Sequence, residues 1–503
     1  MLRGSIRKLS VLLLVFGVLS WSLAQGTLII AQGTDPASLD AAKATDSPSA
    51  TVYSHIYETL LELKADGEIV PSLATNYTVS PDGLTYTFDI RQGVTFHDGT
   101  PLTANEVKAS IEQFLAPETA APFRFLLDRI AAVNVLDTYK VEFQMTSVFA
   151  PLANHLTHSS TAIVKAGIDL DATPIGTGPF EFVSWNRGER VDLKRYEGYW
   201  GTKPGIEGLR FLAVPESTTR MALVETGEAH VAVRVPPQDV ARLNANPNVT
   251  VENVSSVRTI YIYFNHTMAP FTDVRVRQAI NYAVDKEEIV EFVLGGAARV
   301  SDAPISPGVF GYTPVGNYNY DPEKAKQLLA EAGFPNGFST TLYSPNGRYL
   351  QDIQVSEAIQ SQLALVGIDA QIETLEWNAY LAKTNVPAAD NEVPFAMLGW
   401  GTVTGDADYG HFALFHSTQH VPAGSNRSFY ANPTVDALLD EARTNSNPLL
   451  RQSLYEEVMT LLWNDAAWLF LHSESQLVAV RDNVDGLVIH PTERYLAHDA
   501  SLR

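Results

Sequence analysis

Apolar and polar residues alternate along this chain with two different periods, and the periods take turns. From Leu84 to Ile90, the apolar Leu84, Tyr86, Phe88 and Ile90 interleave with Thr85, Thr87 and Asp89, the period-two signature of a half-buried strand. Thr103 and Glu106 then form a capping-box pair ahead of Val107, Ile111, Phe114 and Leu115, which predicts an amphipathic helix. Further on, Asp273 can cap a helix carrying Val276, Ala279, Ile280, Ala283 and Val284 on one face, with Asp285 and Glu288 placed to begin another. Asp321-Pro322 opens a third, which Gly333 closes. A helix through Val355, Ile359 and Leu363 stops at Gly367 and leads into the alternating run Ile368 to Ile372. Strands alternating with helices predict an α/β fold.

Two β-rich stretches stand out, Arg258 to His266 entering the helical middle of the chain and Leu469 to Val480 leaving it. If both cross one seam, the chain makes two lobes joined by two strands, which is a hinge. With 503 residues, 45% of them hydrophobic, the chain can bury more than one sizeable core. No fixed-period repeat or low-complexity tract interrupts it.

The net charge of -22 and the lack of any Lys/Arg run leave no basic face for a phosphate backbone, so no nucleic-acid partner is expected. At the start of the chain, Arg3, Arg7 and Lys8 precede the apolar run Leu9 to Leu19, and Ser22-Leu23-Ala24 has the small-x-small form of a cleavage site. The apolar span is shorter than the ~20 residues a membrane-spanning helix needs. Residues 1–24 are therefore read as a cleavable secretory signal. Cysteine is absent, and Gln25 stands where a lipid-modified Cys would follow cleavage. A soluble exported protein kept near its cell points to the periplasm.

Sequence motifs for catalysis are lacking: there is no P-loop, no G-x-S-x-G elbow and no H-E-x-x-H. Gly176 to Phe180, "GTGPF", reads as a turn entering a strand, and His97-Asp98-Gly99-Thr100-Pro101 as a turn without an acid/base role. His411, His416 and His420 lie close in sequence, but their spacing does not force convergence on a metal, and they read as surface or cleft polar residues. No metal or cofactor is expected. The stretch "GWGTVTGDADYGHF", Gly399 to Phe412, follows an apolar strand. It could form a ligand clamp in which Trp400 and Tyr409 stack on a solute while Asp406 and Asp408 pair with its positive groups, or it could be an ordinary loop.

Four segments carry a resemblance to a known family: Pro71 to Ser110, Gly176 to Gly201, Pro270 to Val290, and Tyr320 to Phe338. In that order they resemble the extracellular solute-binding proteins that serve peptide, glutathione and nickel ABC importers. The resemblance implies two α/β lobes closing like a flytrap on a solute, with an extra subdomain in lobe one. Lobe one would comprise residues 25–45, 174–262 and 481–503, the inserted subdomain 46–173 and lobe two 263–480. It also implies no chemistry on the solute, an ABC permease in the membrane as partner, and, we expect, a monomer.

Within this family the loop after the strand's Trp faces the cleft, which implies ligand contact for Trp400 and for Asp406, Asp408 and Tyr409. Peptide-binding members carry an Asp three residues after that Trp, where this chain has Val403. The pattern looks more like glutathione-binding members, so glutathione is the favoured solute, with di- and oligopeptides, nickel or heme as other cargo. Arg348 sits where dipeptide-binding relatives grip a carboxylate, a task suited to a guanidinium fork. Tyr53 and Arg258 complete the set of expected cleft residues. An exported peptide or amide hydrolase is the competing class.

Overall fold

The structure, a computed structural model, describes residues 26–503. The secretory signal read at residues 1–24 lies outside them. Two long antiparallel strands form the centre, Val249–Phe264 of 16 residues and Trp468–Arg481 of 14. At about 3.3 Å per residue, the longer one extends roughly 50 Å, enough to run through two lobes. They pair from Val249 opposite Arg481 to Tyr263 opposite Trp468.

Five strands extend the sheet beyond Trp468–Arg481, in the order Val231–Val233, Thr27–Gln32, Gly208–Ala213, Arg190–Arg195 and Phe180–Asn186. Beyond Val249–Phe264 come Phe395–Gly401, Phe338–Pro345 and Ile368–Leu375. Each half has a parallel core. Thr27–Gln32 runs parallel to both its neighbours, and so does Phe338–Pro345. Parallel neighbours require a crossover, which the helix Asp352–Ala364 supplies between Phe338–Pro345 and Ile368–Leu375. The result is the two-lobed α/β fold, with the two crossings as its seam.

The first crossing begins nine residues earlier in the chain than the apolar run starting at Arg258 suggests, because Val249 to Val257 leaves most side chains at least partly exposed and carries no continuous apolar signal. The other expected elements form where the patterns place them. Thr85–Ile90 alternates half-buried and buried side chains, and Ala104–Leu115 starts with a complete capping box between Thr103 and Glu106. Asp273 caps Val274–Ala283 and Asp321 caps Pro322–Glu331 through side-chain hydrogen bonds to backbone N–H groups.

A separate antiparallel sheet of four strands, ordered Ala74–Val79, Thr85–Ile90, Lys140–Met145 and Ile130–Asp137, lies within the span expected for the inserted subdomain. Its core is continuous with that around the helices Ala407–Phe415 and Pro448–Asn464. Phe88, Phe123 and Phe143 belong to the same apolar cluster as Phe412, Tyr455 and Trp468. The "GTGPF" turn is structural. A Cβ on Gly176 would stand 2.1 Å from the Ile56 carbonyl oxygen, and one on Gly178 2.5 Å from that of His55. Among the described residues, no helix is long and apolar enough to cross a membrane.

Candidate functional site

A cavity opens where the crossings pass between the lobes, with about 1000 Å³ of atom-free space that is partly continuous with solvent. Trp400, Tyr409, Arg348, Tyr53 and Arg258 all line it, so these five expected residues converge although they come from distant parts of the chain.

Local structure explains each position. The first crossing is irregular between Ser255 and Thr259, and such a bulge re-aims side chains. Arg258 stands in it. Its backbone N–H donates to Ser256 Oγ at 3.1 Å, and its guanidinium donates to the Gly399 carbonyl at 2.7 Å and to Ser47 Oγ at 2.6 Å. Arg348 lies in the turn after Phe338–Pro345, where Asp352 accepts its backbone N–H at 2.8 Å. Its guanidinium lies over the rings of Tyr349 and Trp377 at 4.7 and 5.2 Å. Tyr53 ends the helix Ser47–Tyr53, its hydroxyl 3.1 Å from Ser159 Oγ. Burial pushes that phenol up to about 12. Trp400 ends the strand Phe395–Gly401, packing on Tyr409 at 5.0 Å and edge-on to Phe123 at 5.9 Å.

Asp406 and Asp408 do not line the cavity, which corrects the expectation that they meet a solute's positive groups. Asp406 is the N-cap of the helix Ala407–Phe415, accepting the Asp408 N–H at 3.0 Å. Its two oxygens also receive Arg451 at 2.9 and 2.8 Å. Asp408 is fully buried, 3.1 Å from His155 Nε2 and 3.2 Å from Arg443 Nε. Both carboxylates are spent on internal cations, because the helix begins inside the stretch that reads as a loop. Its first turn carries the capping Asp behind the wall while Trp400, Val403 and Tyr409 form the wall itself. His411 and His416 are likewise interior, and not the surface or cleft residues expected.

The sequence reading missed several wall residues: Asp46, Phe123, His158, Trp377, Arg427 and Arg494. Only Trp377 had a local signal, following the capping Glu376 at the start of Trp377–Thr384. Glu493, just behind the wall, lies 2.6 Å from Arg258 Nε, with Arg234 and Arg348 at 3.7 and 3.8 Å. Burial drives its carboxyl up, and these guanidiniums outweigh burial and hold it below its usual range. The wall itself carries four arginines, Arg258, Arg348, Arg427 and Arg494, and a single carboxylate, Asp46. Arg348 Nε and Nη1 and Arg427 Nε have no hydrogen-bond partner among the described residues. Such a site suits an anionic solute with stacking surface.

Comparison with known proteins agrees with this geometry. Residues 68–421 match the family model described as bacterial extracellular solute-binding proteins, family 5 Middle. The chain is 33% identical over 490 residues to the glutathione-binding protein GsiB of Salmonella typhi, covering 96% of each chain. It also superposes on the periplasmic binding protein DppA of Helicobacter pylori in complex with the peptide STSA, with a TM-score of 0.87, 29% identity and coverage of 95% and 98% of the two chains. A third likeness is AgaA of A. tumefacien in complex with agropinic acid, with a TM-score of 0.85, 27% identity and coverage of 95% and 99%. A family match over residues 68–421 and a relative 33% identical over 96% of each chain make the chain a member of the bacterial extracellular solute-binding proteins of family 5.

Proposed function

We propose that this protein captures a small, anionic, peptide-like solute in the periplasm, glutathione being the favoured one, and delivers it intact to an ABC permease. The observation that carries this reading is the excess of guanidinium at the wall, four arginines against Asp46 on the wall and Glu493 just behind it. Glutathione at neutral pH bears two carboxylates and one ammonium group, so it complements an excess of guanidinium over carboxylate. The likeness to GsiB supports the same solute. Arg348, with free donors on Nε and Nη1, receives a carboxylate. Trp400, Tyr409 and Tyr53 supply stacking surface, and Arg258 fixes the cleft's edge through Gly399 and Ser47.

Closure about the two crossings shields these contacts from water, and the closed form is what the permease reads. In this reading the chain acts as a monomer and performs no chemistry. The divisions at residues 25–45, 46–173, 174–262, 263–480 and 481–503 describe its moving units. A thermal-shift screen of the chain from Gln25 tests the reading against both redox forms of glutathione, di- and tripeptides, and nickel chelates. A solute at 100 times its Kd adds about 2.7 kcal/mol. A selective shift with glutathione is expected. A shift with neutral dipeptides alone contradicts the choice of solute.

A further inference from the structure

Asp46 is the lone carboxylate on a wall that carries four arginines. It stands at the N-cap of the helix Ser47–Tyr53 without a side-chain cap bond of full hydrogen-bond geometry, although Ser49 in the first turn lies near enough to lower its carboxyl. One oxygen, Oδ2, accepts the Trp377 indole N–H at 3.0 Å. The other, Oδ1, is buried without a hydrogen-bond partner among the described residues, and the residue as a whole is only 6% exposed. A buried carboxylate oxygen left unpaired costs free energy that a ligand donor can recover. Its neighbour Ser47 accepts from Arg258 and, at 3.5 Å, from Arg348. The segment Asp46-Ser47 therefore places an acceptor for a cation directly beside the donors for an anion.

We propose that Asp46 receives the ammonium group of the solute, in the role first expected of Asp406 and Asp408. This rests on the reading of the cleft as a site for a peptide-like solute. Trp377 holds one carboxylate oxygen, and the other, unpaired in a residue that lines the cavity, can take an ammonium in a charge-assisted bond. The γ-glutamyl α-amino group of glutathione is such a donor, and the adjoining α-carboxylate then falls to the Arg258 and Arg348 side. Burial raises the Asp46 carboxyl above its ordinary range, against the Ser49 hydroxyl and Arg348, which lower it. Arrival of a cation opposes that shift, so binding releases a proton wherever the free group is still protonated.

The test is calorimetric titration of the mature chain and of Asp46→Asn with glutathione and with glutathione acetylated on its α-amino group. Asn keeps an acceptor for Trp377 and removes the charge. The wild type is expected to lose at least tenfold in affinity on acetylation, and a folded Asp46→Asn to bind the two compounds alike. Discrimination that survives in Asp46→Asn, or loss of both compounds by the folded variant, overturns the assignment while leaving the proposed function standing. Wild-type protein that binds neither compound overturns both. A second measurement needs no variant: wild-type titrations at a series of acidic pH values, in pairs of buffers of different ionisation enthalpy, report proton release. Release with glutathione and not with the acetylated compound is expected, and equal release with both contradicts the assignment.

Discussion

Asp408 Oδ2 lies 3.1 Å from His155 Nε2, with both side chains completely shielded from solvent. The contact joins the helix Ala407–Phe415 to the short helix Leu152–His155, and Arg443 completes it from the far side at 3.2 Å. Arg443 in turn donates to the Phe125 carbonyl at 2.9 Å and lies 3.6 Å over the Phe412 ring. Burial raises the Asp408 carboxyl, and Arg443 and His155 outweigh it, so the group is held low and charged.

Asp408 therefore stabilises the packing between these two helices. Replacing it with Asn leaves buried Arg443 with only the more distant Asp128, 3.9 Å away, as counter-charge, at a cost approaching about 3 kcal/mol. Urea unfolding of Asp408→Asn should show a loss of that size, while the folded fraction still binds solute. A variant as stable as wild type but unable to bind would return Asp408 to the cleft.

Trp400 has the opposite profile. It lines the cavity, and its indole N–H is buried without a partner among the described residues. Trp400→Ala should weaken solute binding by about 2 kcal/mol, roughly thirtyfold. Its melting temperature should fall far less than that of Asp408→Asn. Unchanged affinity by calorimetry would remove Trp400 from the working wall.

Arg348 separates charge from shape. Lysine in its place keeps the charge but loses the planar fork and the stacking on Tyr349 and Trp377. Arg348→Lys should bind glutathione at least tenfold more weakly. The loss should be smaller for an analogue whose carboxylate is amidated, because the fork has less to grip. Equal losses for both compounds would show that Arg348 does not hold a carboxylate.

Buried histidines set the acid limit of stability. Burial pushes His411 and His472 down to about 3, and His411 has neither ring nitrogen paired among the described residues. In the unfolded chain the same groups titrate near 6.5. Between those values the unfolded state binds more protons, so stability is fully present above about pH 6.5 and falls as pH drops toward 3. The slope is on the order of 1.4 kcal/mol per pH unit for each histidine. Urea midpoints measured across this range should show His411→Gln with a shallower acid limb than wild type. Identical slopes would contradict its neutral burial.

Much of the fold was legible because its signals are local. Thr103 and Glu106, Asp273 and Asp321 announce helix starts within a single turn. The alternation from Leu84 to Ile90 states which side of the strand is buried. The site was legible only in part, because its charges are settled at a distance. Asp406 and Asp408 look available in a Gly-rich stretch, yet their fate depends on Arg451, Arg443 and His155, which no spacing rule connects to them. Asp46 carried no signal of a cleft role, because Trp377, which takes one of its oxygens, lies more than 300 residues later. The Asp-Ala-Asp ahead of Phe412, Leu414 and Phe415 did carry an N-cap signal, and weighting it over the glycines would have placed the helix correctly.

Native mass spectrometry of the mature chain equilibrated with reduced glutathione tests the central claim most directly. One glutathione of unaltered mass per chain is predicted, with occupancy lost in Trp400→Ala and kept in folded Asp408→Asn. No bound species at concentrations well above micromolar, or cleavage products of glutathione in the same sample, would contradict the account.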